Sequence, residues 1–152
     1  MASRAGVGKT TIYRWYNSKE ELVADAIESL RQDVVLPETG NLWKDIDALI
    51  ESAAQITLNP LGRQTVASIV STASNHPRFA EIYWTKYLQP RRQAFSIVLE
   101  RAKKRGEIQA DIDPNLVFDT ISGIMLYTLI FPPANESWET YIRRVLTFLL
   151  RS

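Results

Sequence analysis

The sequence predicts an all-α fold, and three observations predict it. Apolar residues recur at helical spacing through most of the chain, and capping residues and prolines punctuate it at intervals. Strand signals are nearly absent: there is no clear run of apolar–polar alternation and no Asn-Gly or Asp-Gly hairpin turn.

Each element follows from local chemistry. Ser18 followed by Glu21 matches a capping box, and Leu22, Ala26, Ile27 and Leu30 then repeat at helical spacing until Pro37 and Gly40 break the pattern. A helix is therefore predicted from Ser18 to the mid-thirties. Asn41 can cap a second helix, on which Leu42, Ile46, Leu49, Ala53 and Ile56 share one face before Asn59-Pro60-Leu61-Gly62 ends it. A third helix is predicted over residues 62–73. Asn75-His76-Pro77 separates it from a longer helical stretch that Pro90 should kink and that stops at Gly106. Asp113 with Pro114 supplies a cap followed by proline at the first helical position, and residues 114–131 then read as a helix apolar on most sides, ended by Pro132-Pro133. Ser137 caps the last helix, where Trp138, Tyr141, Ile142, Val145, Phe148 and Leu149 form a broad apolar stripe.

The last two helices are apolar over more than half their circumference, which exceeds what one face of a small bundle requires. A second copy of the chain is the expected cover, in an isologous contact of two helices from each subunit. Ser122 and Gly123 would let a neighbouring helix approach closely, and the expected interface residues are Ile121, Gly123, Ile124, Tyr141, Val145 and Phe148. The other reading is that both helices are internal to a monomer.

Composition narrows the function classes. A chain of 152 residues with 45% apolar and 23% charged content is enough for one ordinary soluble domain. It has no cysteine and one histidine, which excludes a disulfide scaffold, a Cys-based zinc site, an iron–sulfur cluster and a thiol nucleophile. No metal and no cofactor is expected. The longest apolar candidate, residues 116–131, is interrupted by Asp119 and falls short of the ~18 residues of a membrane span. The first residues contain no apolar core of signal-peptide length, so a cytoplasmic location is expected. No acid pair, nucleophile set or metal cluster is visible, so no enzyme is expected. His76, between Asn75 and Pro77, reads as a loop or cap residue.

The net charge of +1 is unevenly spread: residues 1–19 hold Arg4, Lys9, Arg14 and Lys19 with no acid, leaving residues 20–152 at −3. A basic end on a mildly acidic body suits a module that touches phosphate. Gly6-Val7-Gly8-Lys9-Thr10-Thr11 first suggests a phosphate-binding loop, but Ser3 stands where that motif needs glycine, and no hydrophobic strand precedes it. A helix-turn-helix fits better. Gly6 lies in the turn, and the following helix carries Lys9, Thr10, Thr11, Tyr13, Arg14 and Trp15 on a polar surface, with Ile12 and Tyr16 facing inward.

The run Arg4-Ala5-Gly6-Val7-Gly8-Lys9-Thr10-Thr11-Ile12-Tyr13-Arg14-Trp15-Tyr16-Asn17-Ser18-Lys19-Glu20-Glu21-Leu22 resembles the recognition-helix segment of TetR-family transcriptional regulators. The resemblance continues more weakly through Pro90-Arg91-Arg92, Arg105-Gly106-Glu107-Ile108 and Asp111-Ile112-Asp113-Pro114. It implies a remnant helix-turn-helix DNA-binding segment followed by a helical ligand-binding and dimerisation domain, divided as residues 1–36 and 41–152. It also implies that the chain begins inside the second helix of the DNA-binding domain and is truncated at its amino end. Base and phosphate contacts to double-stranded operator DNA are implied at Lys9, Thr10, Thr11, Tyr13, Trp15 and Lys19. Their chemistry agrees, because a helix amino terminus favours phosphate, threonine can read base edges, and tyrosine hydroxyl and lysine ammonium can fix register on the backbone.

For the body, the resemblance implies an effector pocket, expected at Trp43, Ile46, Leu49, Tyr83, Trp84, Tyr87 and Met125, whose lining suits an apolar or aromatic small molecule. Packed core is the plain alternative for each of these residues. Arg91, Arg92, Arg101, Lys103, Lys104 and Arg105 read as a solvated basic face near a helix carboxyl end. The implied function is a one-component regulator, a homodimeric repressor released from DNA by its ligand. The alternative is a helical ligand-binding and dimerisation module without DNA binding.

Overall fold

The computed structural model describes residues 34–151. Among the described residues there is no strand, and the fold is all-α as predicted: α1 (Leu42–Thr57), α2 (Pro60–Asn75), α3 (Pro77–Tyr83), α4 (Gln89–Lys104), α5 (Pro114–Ile130) and α6 (Trp138–Leu149). A π-helical turn, Trp84–Leu88, joins α3 to α4. The helix expected to start at Ser18 lies outside the described residues.

Side-chain caps start four of these helices. The side chain of Asn41 accepts from Lys44 N, that of Asn59 from Gly62 N, that of Asp113 from Asn115 N and Leu116 N, and that of Ser137 from Thr140 N. Each satisfies a first-turn donor that the helix cannot pair internally. The expected break at Asn59-Pro60-Leu61-Gly62 is shorter than a loop, because Asn59 both follows α1 and caps α2, and Pro60 is the first residue of α2. The junction is so tight that a Cβ on Gly62 would lie 2.0 Å from the carbonyl oxygen of Ile56. Only glycine fits there.

Proline at position 90 has no N–H to donate and crowds the preceding turn. The chain accommodates it with the π turn, whose wider ring closes as Gln89 N–H donates to Trp84 O, five residues back. At the far end of α4, Gly106 adopts φ +77°, a left-handed conformation that lets its own N–H reach Lys103 O and the Glu107 N–H reach Ala102 O.

Helix α1 packs on α2, α4 and α6, α4 on α5, and α5 on α6. The main core joins Leu42, Ile46 and Ile50 of α1 to Phe95, Val98, Leu99 and Ala102 of α4, Val117 and Ile121 of α5, and Trp138, Ile142 and Leu146 of α6. The buried face of α1 is rotated from the expected one: Ile50 takes the central position, Leu49 and Ala53 lie at the edge, and Ile56 is half-buried outside this core. A second, smaller core forms where Ile69 of α2 meets Phe79 of α3. Polar ties supplement the packing. Trp138 Nε1 donates to the buried Thr128 Oγ1 at 2.9 Å, joining α6 to α5, and Arg92 makes a two-pronged pair with Asp119 at 3.0 and 2.9 Å, joining α4 to α5.

Ile46 has no exposed surface, so Ile46→Ala leaves a cavity at the centre of the bundle and is expected to cost about 2–5 kcal/mol in urea denaturation. A loss below about 1 kcal/mol would mean that the core closes around the gap. The Arg92 pair supplies a pH test. Its hydrogen bond and then its charge hold the Asp119 carboxyl below the usual carboxylate range. A carboxylate depressed by folding adds stability above its unfolded pKa and loses it as pH falls through the folded one. Arg92→Met should therefore lower Tm at neutral pH and lower it less at acid pH, as Asp119 takes up its proton. Equal losses at both pH values would assign the effect instead to contact with Trp84, whose ring lies 5.5 Å from the guanidinium.

Candidate functional site

The residues expected to touch DNA, Lys9, Thr10, Thr11, Tyr13, Trp15 and Lys19, lie outside the described residues. The residues expected to line a pocket or cover a partner lie inside them, and the structure distributes them over three places.

Trp43, Ile46, Leu49 and Met125 belong to the main core. Ile46 is wholly buried, and Trp43 is half-buried with the Arg143 guanidinium 4.9 Å from its ring; Arg143 Nε also donates to Asp47 at 2.8 Å, so α6 clamps this part of α1. Tyr83 and Tyr87 pack instead against the small core of Ile69 and Phe79. Trp84 is exposed. Six of the seven residues thus fall into two separate clusters, and Trp84 lies at the surface.

The second cluster is a column. The rings of Phe79 and Tyr83 stack at 6.2 Å, those of Tyr83 and Tyr87 at 4.9 Å, and the Arg91 guanidinium lies 3.8 Å from the centre of the Tyr87 ring. Residues four apart drift around an α-helix by about 40° per step. The π turn, with more residues per turn, reduces that drift where Tyr83 and Tyr87 meet. Burial, reinforced by Tyr87 and opposed by Arg91, pushes the Tyr83 phenol above its ordinary range, so it stays protonated. What results is a neutral aromatic column capped at one end by a cation. The sequence reading named Tyr83 and Tyr87 but missed Arg91. The spacing of four through Phe79, Tyr83, Tyr87 and Arg91 was the available signal.

The basic residues of α4 are more engaged than a solvated face would be. Arg91 Nη1 donates to Tyr87 O, Arg92 pairs with Asp119, Arg101 lies 3.7 Å from Glu38, Lys103 pairs with Glu100, and Arg105 pairs with Glu107. Their partners lie in the π turn, in α5, in the linker before α1, in α4 itself and in the turn after it, while Lys104 is exposed. His76 is exposed at the boundary between α2 and α3.

Of the residues expected at a dimer surface, Ile121 is buried within the subunit, Ile124, Tyr141 and Val145 are partly buried against the main core, and Gly123 and Phe148 are exposed. Sequence reading missed most of the exposed apolar face. Leu116, Gly123, Tyr127 and Ile130 share one side of α5 at helical spacing, opposite the buried Val117, Ile121 and Thr128. Ile130 is 71% exposed, Leu116 64% and Tyr127 60%, and Phe131 continues the patch. A Cβ on Gly123 would meet nothing within 4 Å, leaving a notch in the middle of the stripe. On α6, Tyr141, Arg144, Val145, Thr147, Phe148 and Arg151 line a shallow depression of about 460 Å³. Arg144 sits over the Tyr141 ring and Arg151 over the Phe148 ring, and the pair that Arg144 makes with Glu136 raises its pKa further. A patch of this kind, apolar at the centre with cations at the rim, has the anatomy of a protein contact. Among the described residues, no helix is long and apolar enough to cross a membrane.

Residues 36–149 match the family model for the tetracyclin repressor-like C-terminal domain. The chain is 28% identical over 144 residues to the HTH-type transcriptional regulator YdeS of Bacillus subtilis, an alignment that takes in 94% of this chain and 72% of YdeS. It is 29% identical over 143 residues to the HTH-type transcriptional regulator Mb1581 of Mycobacterium bovis, over 92% of this chain and 69% of that one. Among solved structures it is similar to the TetR family transcription regulator SCO0332, with a TM-score of 0.73 and 25% identity over 98% of this chain and 82% of that one.

Proposed function

The chain belongs to the TetR family of transcriptional regulators, and from that premise we propose that it is a homodimeric repressor released from its operator by a small apolar or aromatic molecule. Regulators of this family bind DNA and effectors and act as dimers. One observation carries the reading to this chain: a segment with the sequence pattern of a recognition helix leads into a body whose last two helices expose an apolar stripe.

The division of labour follows. Residues 1–36 form the DNA-contacting part with its connecting helix, in which Lys9 and Thr10 meet phosphate at the helix start, Thr10 and Thr11 reach base edges, and Tyr13, Trp15 and Lys19 fix register. Residues 41–152 form the effector-binding and dimerisation part. The effector site draws on the aromatic column of Tyr83 and Tyr87 with Trp84 beside it, and on Trp43, Ile46, Leu49 and Met125 across α1 and α2. The dimer contact uses the exposed face of α5 around Gly123, with Ile121 and Ile124 behind it, and Tyr141, Val145 and Phe148 of α6.

Two-fold symmetry would then present two recognition segments to two half-sites about one helical turn apart. An effector that binds better to a dimer geometry with the wrong spacing lowers operator affinity by its differential affinity for that state, about 1–3 kcal/mol or 5–150-fold in typical cases.

Light scattering at micromolar concentration should give twice the 17.3 kDa chain mass, and Tyr127→Glu combined with Ile130→Glu should give the single-chain mass with helicity unchanged. A wild-type chain that runs at 17.3 kDa would remove the dimer from the proposal. Fluorescence anisotropy on DNA flanking the gene should show affinity that falls steeply with salt as counterions are released, and a further loss on Lys9→Ala. A stable dimer with no salt-sensitive affinity for that DNA would shift the reading to a ligand-binding dimerisation module.

A further inference from the structure

The linker that enters α1 is held by two other parts of the body. Leu42 N–H, a first-turn donor of α1, donates to Glu107 Oε2 at 2.9 Å, across 65 residues of sequence. Asn41 does not serve it; its side-chain oxygen accepts from Lys44 N. Just upstream, Thr39 donates through its N–H at 2.9 Å and its hydroxyl at 2.7 Å to Asp45 Oδ1, and Asp45 is 1% exposed. Glu38 lies 3.7 Å from Arg101 of α4. Residues 38, 39 and 42 are thus each tied to a different acidic or basic side chain.

Two of those ties lie at the carboxyl end of α4, Arg101 on the helix and Glu107 in the turn that follows it. Glu107 is fixed by the left-handed Gly106 cap, between the buried Ala102 and the buried Ile108, and Arg105 of the same turn braces its carboxylate. The hydrogen bond from Leu42, more than the charge of Arg105, holds the Glu107 carboxyl below its usual range. Among the described residues, Arg101 Nη1 is buried with no hydrogen-bond partner. A donor left in that condition is held by its surroundings against its own solvation preference. At its other end, α4 begins beside the aromatic column and carries Arg91, and 16 helical residues form a rod about 24 Å long.

We propose that Glu107 and Arg101 are positioning residues, a clasp through which α4 sets the direction in which residues 1–37 leave the body. The inference rests on the reading of those residues as the DNA-contacting part. Glu107 touches neither DNA nor effector. Its effect is on geometry.

The absence of cysteine allows site-specific labelling of the full chain. Spin labels on Glu20→Cys and Glu139→Cys, diluted with excess unlabelled chain, report the distance from the amino-terminal segment to α6 within one protomer. Amide exchange at Leu42 is read in parallel. Glu107→Ala is expected to accelerate exchange at Leu42 about tenfold and to broaden the distance distribution about twofold. Glu107→Gln keeps an acceptor for Leu42 N–H and should resemble the parent on both readouts, which also controls for folding. Thr39→Val, which frees the linker from its other side, should broaden the distances as well. Faster exchange at Leu42 with an unchanged distance distribution would reduce Glu107 to a local helix cap and overturn the proposal, as would no change in either. Broadened distances in a chain that has no affinity for DNA would leave the clasp standing and remove the repressor reading instead.

Discussion

The body depends on the burial of one narrow face of α1. Leu42, Ile46 and Ile50 lie a turn apart, and α4 and α6 pack directly on α1, α4 bringing Val98 and Leu99 and α6 bringing Ile142 and Leu146 into a core that Val117 and Ile121 of α5 complete. Each large side chain buried there contributes about 1.5–3 kcal/mol by removal from water. Because the same three residues face both α4 and α6, neither helix can rotate without opening contacts with α1. The positions of the surface features, including the aromatic column and the turn at Gly106, are inherited from that arrangement.

Helix α5 shows what this core cannot do. Its inward face is consumed by α4 and α6, with Thr128 placed to accept from Trp138, and its outward face repeats apolar residues just as regularly. A helix apolar all round is stable in water only when both faces are covered. One chain supplies one cover. The notch at Gly123 lies in the exposed stripe and gives it relief as well as hydrophobicity. The two properties of the helix, scaffold and contact surface, come from a single run of 17 residues.

Much of the fold was legible because its punctuation is local. Asn41, Asp113 and Ser137 announce their helices within three residues, and Pro114 and Gly106 act through backbone geometry that needs no distant partner. Asn59 was harder, since an Asn-Pro pair reads equally as an end and a beginning, and only the fit of Gly62 against Ile56 makes it both. The π turn escaped notice because sequence shows that Pro90 must disturb a helix without showing which way the backbone relaxes. At the candidate site, the aromatic residues were visible by type and spacing, but their division into two clusters was not, because it depends on α2 and α3 forming a separate core around Ile69 and Phe79. Arg91, Glu107 and Asp45 were invisible as site residues for a common reason. Each is charged, each looks solvated in sequence, and each acquires its role from a partner supplied by the fold.

The contrast between those charged contacts and the core bears on how such a body could switch. Breaking the core at α1 costs several kcal/mol per side chain, which locks the packing into one arrangement. A single hydrogen bond such as Leu42 to Glu107 is worth about 0.5–1.5 kcal/mol net, and a half-exposed ion pair such as Arg101 with Glu38 about 0–1 kcal/mol. Couplings between ligand sites are typically about 1–3 kcal/mol. Only contacts on that scale can be made in one state and broken in another by the binding of a small molecule. The bundle is therefore the fixed frame, and the weaker polar contacts where the end of α4 meets the linker are the ones that energies of that size could remake.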